Sequence, residues 1–176
     1  SSTRGQQRGH TMTKKATTMR IRKWDVGSLK PTQTVLILGK RNCGKSVIIR
    51  HLLYALRDKI DAALVFSPTD GAQGQFSKFI PPSLIHEEWD GAVLDNVLET
   101  QRQQWKRPRG GSNVVAVLDD VAYDQRAFKS KTLRNLMYNG RHAHVGCIMA
   151  LQYSMDMPTR LRTNCDIVIG CRETIM

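Results

Sequence analysis

The chain has 176 residues, of which 40% are hydrophobic, enough for one domain with a single core and too apolar for a disordered chain. No run approaches the ~18 apolar residues of a membrane-spanning helix and no apolar leader opens the chain, so we expect no membrane span and no secretion. The net charge of +12 favours a polyanion such as nucleic acid as a partner.

The first part of the chain is basic and rich in glycine, serine and threonine. Eight lysines and arginines lie within residues 1–34, against a single acidic residue. We therefore expect a flexible basic segment over residues 1–31 and a globular domain over residues 32–176. The basic segment either contacts nucleic acid or is a solvated tail.

Short apolar runs alternate with helical patterns along the rest of the chain. The runs predict five strands, over Thr34–Gly39, Ala62–Ser67, Val114–Asp120, Val145–Leu151 and Asp166–Cys171. Helices are predicted over Val47–Arg57, residues 90–105 and Ser130–Tyr138, the last of them stopped at Asn139-Gly140 by a left-handed residue. This alternation predicts an α/β fold with a mostly parallel sheet of five or more strands and helices on both faces.

The fifth predicted strand has no predicted helix after it to pack against its face. The fifth predicted strand is followed only by a few residues, up to Met176. A helix normally covers that strand in an α/β sheet. We therefore expect either a truncated C-terminus or a partner over that face.

Residues 39–46 fit the phosphate-binding pattern G-x-x-x-x-G-K-[ST] at every fixed position, between a predicted strand and a predicted helix. In this context the loop is expected to hold the phosphates of ATP on its backbone N–H groups and on the helix N-terminus. Lys45 is expected to reach the β- and γ-phosphates, and Ser46 to bind Mg²⁺. The predicted nucleotide-binding residues are Gly39, Lys40, Arg41, Asn42, Cys43, Gly44, Lys45, Ser46 and Val47.

Polar residues at the ends of two other predicted strands supply the second half of such a site. Asp119 lies at the carboxyl end of the third strand, where a carboxylate is needed to hold a phosphate-bound Mg²⁺ together with Ser46. Asp120 follows and is placed to polarise the attacking water. Gln152 ends the fourth strand, which we expect beside the P-loop strand. Its amide either contacts the γ-phosphate or the water, or is a surface group.

An arginine from a neighbouring subunit often completes such sites. Arg141, between the third predicted helix and the fourth strand, is the first candidate. Arg160 and Arg162 compete with it, and each of the three can also be a plain surface charge.

Taken together, these motifs resemble the packaging ATPases of nucleocytoplasmic large DNA viruses, within the FtsK–HerA group of additional-strand (RecA-like) P-loop NTPases. The resemblance covers roughly residues 33–172 and rests on VLILGKRNCGKSVIIRHLLY, ALVFSPTD, FIPPSLIHEEWD, VLDD and NGRHAHVGCIMALQ. It implies Asp119 on Mg²⁺, Asp120 as the catalytic acid, Gln152 as a sensor and Arg141 acting across a subunit boundary. Many relatives in the wider group carry Glu where this chain has Asp120, a shorter side chain.

The same resemblance implies a motor that hydrolyses ATP and pumps viral double-stranded DNA into a capsid. The motor would be a homo-oligomeric ring, a pentamer or a hexamer, acting at the assembly site in the host cytoplasm or in the virion. Capsid or portal-vertex proteins are further candidate partners. Contacts to DNA are expected on phosphates, without base specificity.

Two other functions share the P-loop. A P-loop nucleotide kinase needs an acceptor pocket and usually an arginine-rich lid, for which the stretch between the third and fourth strands gives no obvious candidate. An ATP-binding assembly or scaffold subunit would bind ATP and release little phosphate. The products formed from ATP distinguish the three.

Overall fold

The computed structural model describes residues 21–69, 74–121 and 124–172. Within these ranges, six strands form one sheet: β1 (Thr34–Leu38), β2 (Ala62–Phe66), β3 (Ile85–His86), β4 (Val114–Asp119), β5 (Val145–Leu151) and β6 (Ile167–Gly170). All pairings are parallel, and the strands lie in the order β3-β2-β4-β5-β1-β6. One strand, β5, therefore separates the P-loop strand from the strand that ends in Asp119, as the additional-strand class requires.

The two central strands are buried along their whole length. Every residue of β4 and of β5 is buried, which suits strands covered on both faces. The edge strand β6 instead alternates between half-buried and exposed residues. One face of β6 is therefore exposed in this chain.

Five α-helices flank the sheet in the described ranges: α1 (Lys45–Leu56), α2 (Gly91–Trp105), α3 (Gln125–Lys129), α4 (Lys131–Asn139) and α5 (Thr159–Arg162). One core cluster joins α1 to the first face of the sheet through Ile49, Leu52 and Leu56. The other joins the remaining helices to the second face, with Leu94 and Leu133 among its fully buried members. The prediction of helices on both faces is confirmed. No helix in these ranges has the length and apolar character needed to cross a membrane.

Two of the three predicted helix starts coincide with a capping side chain, whereas α1 begins at Lys45, two residues before the predicted Val47. The Asp90 carboxylate accepts hydrogen bonds from the N–H groups of Ala92 and Val93 at the start of α2. Ser130 accepts one from the N–H of Leu133 at the start of α4. Each such cap stabilises its helix by about 1 kcal/mol.

The predicted left-handed stop at Asn139-Gly140 is wrong. Gly140 has right-handed dihedral angles, φ −53° and ψ −41°, and opens a 3₁₀ turn over Gly140–Ala143. The left-handed residue is His144, at φ 54°, and its ring stacks on Trp105 with centroids 3.5 Å apart. A Cβ on residue 140 would lie 2.7 Å from the Val145 carbonyl oxygen. The glycine is therefore required by a close approach of the chain.

Residues 1–20 of the predicted basic segment lie outside the described residues. Leu29 is 1% exposed and belongs to the core cluster on the α1 face. The Lys59 ammonium donates hydrogen bonds to the carbonyl oxygens of Gly27 and Leu29, at 2.6 and 2.9 Å. The packed domain thus includes residues ahead of the predicted start at residue 32.

Candidate active site

The phosphate-binding loop runs from the carboxyl end of β1 to the first residue of α1. The Gly39 N–H donates a hydrogen bond of 3.1 Å to the Leu151 carbonyl, which ties the start of the loop to the end of β5. Asn42 and Gly44 both have left-handed φ angles, 59° and 93°. A loop of this kind that leads directly into a helix N-terminus presents several free N–H groups, which is the geometry of a phosphate site.

The Lys45 side chain lies back along this loop. Lys45 is only 8% exposed. Its ammonium donates hydrogen bonds to the carbonyl oxygens of Gly39 and Lys40, at 2.6 and 2.8 Å. The charge is thus held within the loop by two neutral acceptors, which phosphate oxygens can replace with stronger, charge-assisted partners.

Ser46 and Asp119 meet although they are far apart in the sequence. The Ser46 hydroxyl donates a hydrogen bond of 2.9 Å to the Asp119 carboxylate. Asp119 ends β4 and is 3% exposed. A hydroxyl and a carboxylate oxygen are ligands that Mg²⁺ accepts, with water and phosphate oxygens completing its octahedron. The donor set therefore fits the predicted metal.

Asp120 and Gln152 form a second polar pair beside the first. The Gln152 amide donates a hydrogen bond of 3.2 Å to the Asp120 carboxylate. The register that places Asp119 opposite Ala150 brings these two side chains to the same edge of the sheet. The pairing of β5 with β1 confirms the predicted neighbour of the P-loop strand.

The backbone at Asp120 gives a reason for the shorter acid. Its φ of 57° is left-handed. Aspartate adopts this conformation more readily than most residues, because its short side chain crowds the backbone less and can bond to it locally. Glutamate lacks that advantage. The geometry of this turn therefore favours the observed departure from the Glu of many relatives.

Lys45, Ser46, Asp119 and Asp120 border a cavity of about 590 Å³, a size that suits a small ligand. Its wall also includes three residues that were not predicted, namely Arg50, Thr69 and Gln75. Arg50 stands one helical turn after Ser46 on α1, a spacing that could have identified it. Thr69 belongs to the SPTD segment of the resemblance, whose last residue, Asp70, lies outside the described residues.

Arg141 does not join this group within the chain. Arg141 precedes the amino end of β5, whereas the loop follows the carboxyl end of β1. Because the two strands are parallel, Arg141 and the loop lie at opposite ends of the strands. Its guanidinium forms an ion pair of 3.1 Å with Asp166, and the two side chains are 57% and 25% exposed. The competitor Arg162 donates to the Ser154 carbonyl and the Thr159 hydroxyl, close to its own helix.

Residues 23–175 match the family described as Poxvirus A32 protein. The chain belongs to this family. Relatives of this chain occur in large DNA viruses. Uncharacterized protein 075L of Invertebrate iridescent virus 6 is 34% identical over 140 residues, which cover 80% of this chain and 54% of the relative. Uncharacterized protein 015R of Frog virus 3 (isolate Goorha) is 32% identical over 152 residues, 85% of this chain and 45% of the relative. The chain thus spans about half the length of these relatives.

Solved structures share the fold of this A32 family member. B204, described as the DNA-packaging ATPase of Sulfolobus turreted icosahedral virus, superposes with a TM-score of 0.61 at 20% identity, over 82% of this chain and 78% of that chain. The cytoplasmic domain of EssC gives a TM-score of 0.56 at 14% identity, over 78% of this chain and 30% of that chain. The predicted α/β P-loop fold and the resemblance drawn from the motifs are confirmed.

Proposed function

We propose that this chain is the ATP-hydrolysing domain of a motor that packages viral double-stranded DNA. The observation that carries the proposal is that the Lys45 loop, the Ser46–Asp119 pair and Asp120 line one cavity, with Gln152 hydrogen-bonded to Asp120. Each group has a role in cleaving the terminal phosphate of ATP. Family membership among large DNA viruses supports the biological setting.

The phosphates of ATP bind to the N–H groups of the loop and of the α1 N-terminus. Lys45 leaves its two carbonyl partners and neutralises charge on the β- and γ-phosphates. Ser46 and Asp119 would hold Mg²⁺, which when bound would neutralise negative charge on the phosphate oxygens. Loss of the Ser46 hydrogen bond to Asp119 frees both oxygens for this task.

Asp120 orients the attacking water and accepts its proton. Support comes from the position of Asp120 on the same cavity wall as Asp119, and from the Gln152 amide that holds its carboxylate. Gln152 lies at the end of β5, between the P-loop strand and the Asp119 strand. It can therefore respond to the presence or loss of the terminal phosphate.

The site is completed by Arg141 from a neighbouring subunit of a ring. Support comes from its position at the sheet edge opposite its own cavity, and from its half-exposed guanidinium, which Asp166 holds at the surface. A ring of five or six copies brings that edge of one subunit to the cavity of the next. Such a head-to-tail contact is the kind that closes into rings.

The substrate of the motor is double-stranded DNA, bound through phosphates. Support comes from the net charge of +12 and from the likeness to B204, which is described as a DNA-packaging ATPase. Capsid or portal-vertex proteins would receive the ring, in the host cytoplasm at the assembly site or in the virion.

The products formed from ATP test this proposal against its alternatives. We expect ADP and free phosphate from the wild type and none from Lys45→Ala. The rate per subunit should fall on dilution, because the site needs a neighbour. A phosphorylated nucleoside in place of free phosphate would indicate a nucleotide kinase. Tight ATP binding without phosphate release at any protein concentration would indicate a scaffold subunit.

A further inference from the structure

Two cysteines meet on the side of the phosphate-binding loop that faces away from the cavity. Cys43 is part of the loop, and Cys171 directly follows β6. The cavity is lined by the residues on both sides of Cys43, Asn42 and Gly44. The Cys43 side chain instead lies against Gly39 and Cys171. Both cysteines are free thiols and partly exposed.

Gly39 makes this contact possible. A Cβ at residue 39 would overlap the Cys43 sulfur, and it would lie 2.6 Å from the Cβ and 3.1 Å from the sulfur of Cys171. The two thiols thus share the space that a side chain would fill. Burial and a hydrogen bond to Cys43 raise the pKa of the Cys171 thiol to about 11. The Cys171 N–H donates a 2.7 Å hydrogen bond to Leu38, which fixes this residue beside the start of the loop.

We propose that Cys43 and Cys171 form an oxidisable dithiol whose disulfide stops ATP turnover. The oxidant is a peroxide. The Cys43 sulfur attacks one peroxide oxygen, the O–O bond breaks, and the products are a sulfenic acid and water. The Cys171 sulfur then attacks the Cys43 sulfur, the S–O bond breaks and a second water leaves. Two thiols and one hydrogen peroxide give one disulfide and two waters.

The disulfide acts through the position of the loop. A bonded sulfur pair is about 2.05 Å apart. Non-bonded sulfurs in contact are on the order of 1.5 Å further apart, so bond formation pulls the loop towards β6 by a comparable distance. A displacement of about 1 Å can cost roughly 100-fold in rate at such a site. Turnover should therefore fall at least tenfold and return with a thiol reductant.

The other two cysteines provide a matched control. Cys165 is partly buried on the opposite face of the sheet, where its thiol contacts the Leu161 carbonyl. Cys147 is fully buried, and burial raises the pKa of its thiol. Neither is placed to reach the loop, so Cys165→Ser should leave the peroxide response unchanged, whereas Cys171→Ser should abolish the cross-link.

The test treats the purified chain with hydrogen peroxide, blocks free thiols with N-ethylmaleimide and digests it with trypsin without reductant. We expect the peptide of residues 42–45 linked to that of residues 163–172. The second peptide holds both Cys165 and Cys171, so the linkage is read in the Cys165→Ser variant. ATP turnover and ATP binding are measured on the same samples before and after reduction.

The effect of the disulfide on turnover rests on the proposed ATPase activity, and the outcomes distinguish failure of the dithiol from failure of that activity. Alkylated Cys43 without the cross-link, or a cross-link that persists in Cys171→Ser, overturns the dithiol. A complete cross-link that changes neither turnover nor ATP binding overturns its effect on the loop. If the reduced wild type has no turnover at all, the ATPase proposal fails. The cross-link then still tests whether the dithiol forms, and ATP binding tests whether it displaces the loop.

Discussion

Replacement of Arg141 by alanine should abolish ATP turnover while leaving the fold nearly intact. The ion pair of Arg141 with Asp166 spans 3.1 Å between side chains that are 57% and 25% exposed. Exposed pairs of this kind contribute at most about 1 kcal/mol. The melting temperature should therefore fall by no more than about 2–4 °C. An arginine supplied by a neighbour, in contrast, accelerates hydrolysis roughly 10³- to 10⁵-fold.

The assay pairs phosphate release, at a protein concentration that supports assembly, with thermal unfolding. Asp166→Asn is the matched control. It breaks the ion pair but keeps a side-chain oxygen that can accept the 2.8 Å hydrogen bond from the Thr34 N–H. Arg160→Ala tests the exposed competitor. If Arg141→Ala keeps its rate within tenfold of the wild type, or loses no more than Asp166→Asn, Arg141 is a surface charge and the shared site is refuted.

A mixing experiment extends the same prediction. Lys45→Ala and Arg141→Ala should each be inactive alone. In a mixed ring, an Arg141→Ala subunit has an intact loop and can receive Arg141 from a Lys45→Ala neighbour. Random mixing in equal amounts should restore about a quarter of the wild-type sites, since each productive interface needs one subunit of each kind in order. No recovery from subunits that co-assemble would count against action in trans.

Three further predictions concern single residues. Asp120→Asn keeps the left-handed turn but removes the proton acceptor, so phosphate release should fall roughly 10²- to 10⁴-fold while the Kd for ATP stays within a few-fold of the wild type. An unchanged rate would exclude Asp120 as the base. Arg50→Ala removes a cation from the cavity wall, worth about 1 kcal/mol, and should raise the Kd for ATP roughly fivefold in a binding titration, whereas Arg57→Ala on the same helix should not. Burial against Trp105 lowers the pKa of His144, so the unfolded chain binds its proton more tightly and stability should decline as pH falls below about 6.5. In His144→Asn, which suits the left-handed backbone, that part of the pH dependence should vanish in denaturant titrations at several pH values.

The elements nearest the chemistry could be predicted because their local signals agree with the fold. A β-branched run, a glycine-rich loop and an amphipathic segment follow one another around Lys45, and the structure has β1, the loop and α1 there. Asp119, Asp120 and Gln152 could be placed at one edge because parallel strands bring their carboxyl ends together. The short β3, α3 and α5 carry too few residues for any periodicity and depend on tertiary packing.

Features that depend on contacts between distant segments could not be predicted. An Asn-Gly pair at the end of a helix favours a left-handed stop. Residue 140 is instead glycine because the Val145 carbonyl oxygen approaches too closely for a side chain. The meeting of Cys43 with Cys171 depends on the pairing of β6 with β1, which no local pattern specifies.

The most direct test of the motor is phosphate release from ATP with and without linear double-stranded DNA, across a range of salt concentrations. A DNA-translocating motor should be stimulated by DNA of unrelated sequences, and this stimulation should decline steeply with salt because phosphate contacts release counterions. Lys45→Ala should release no phosphate under any condition. Phosphate release by the assembled wild type at one rate with or without DNA, at every salt concentration, would contradict this motor function.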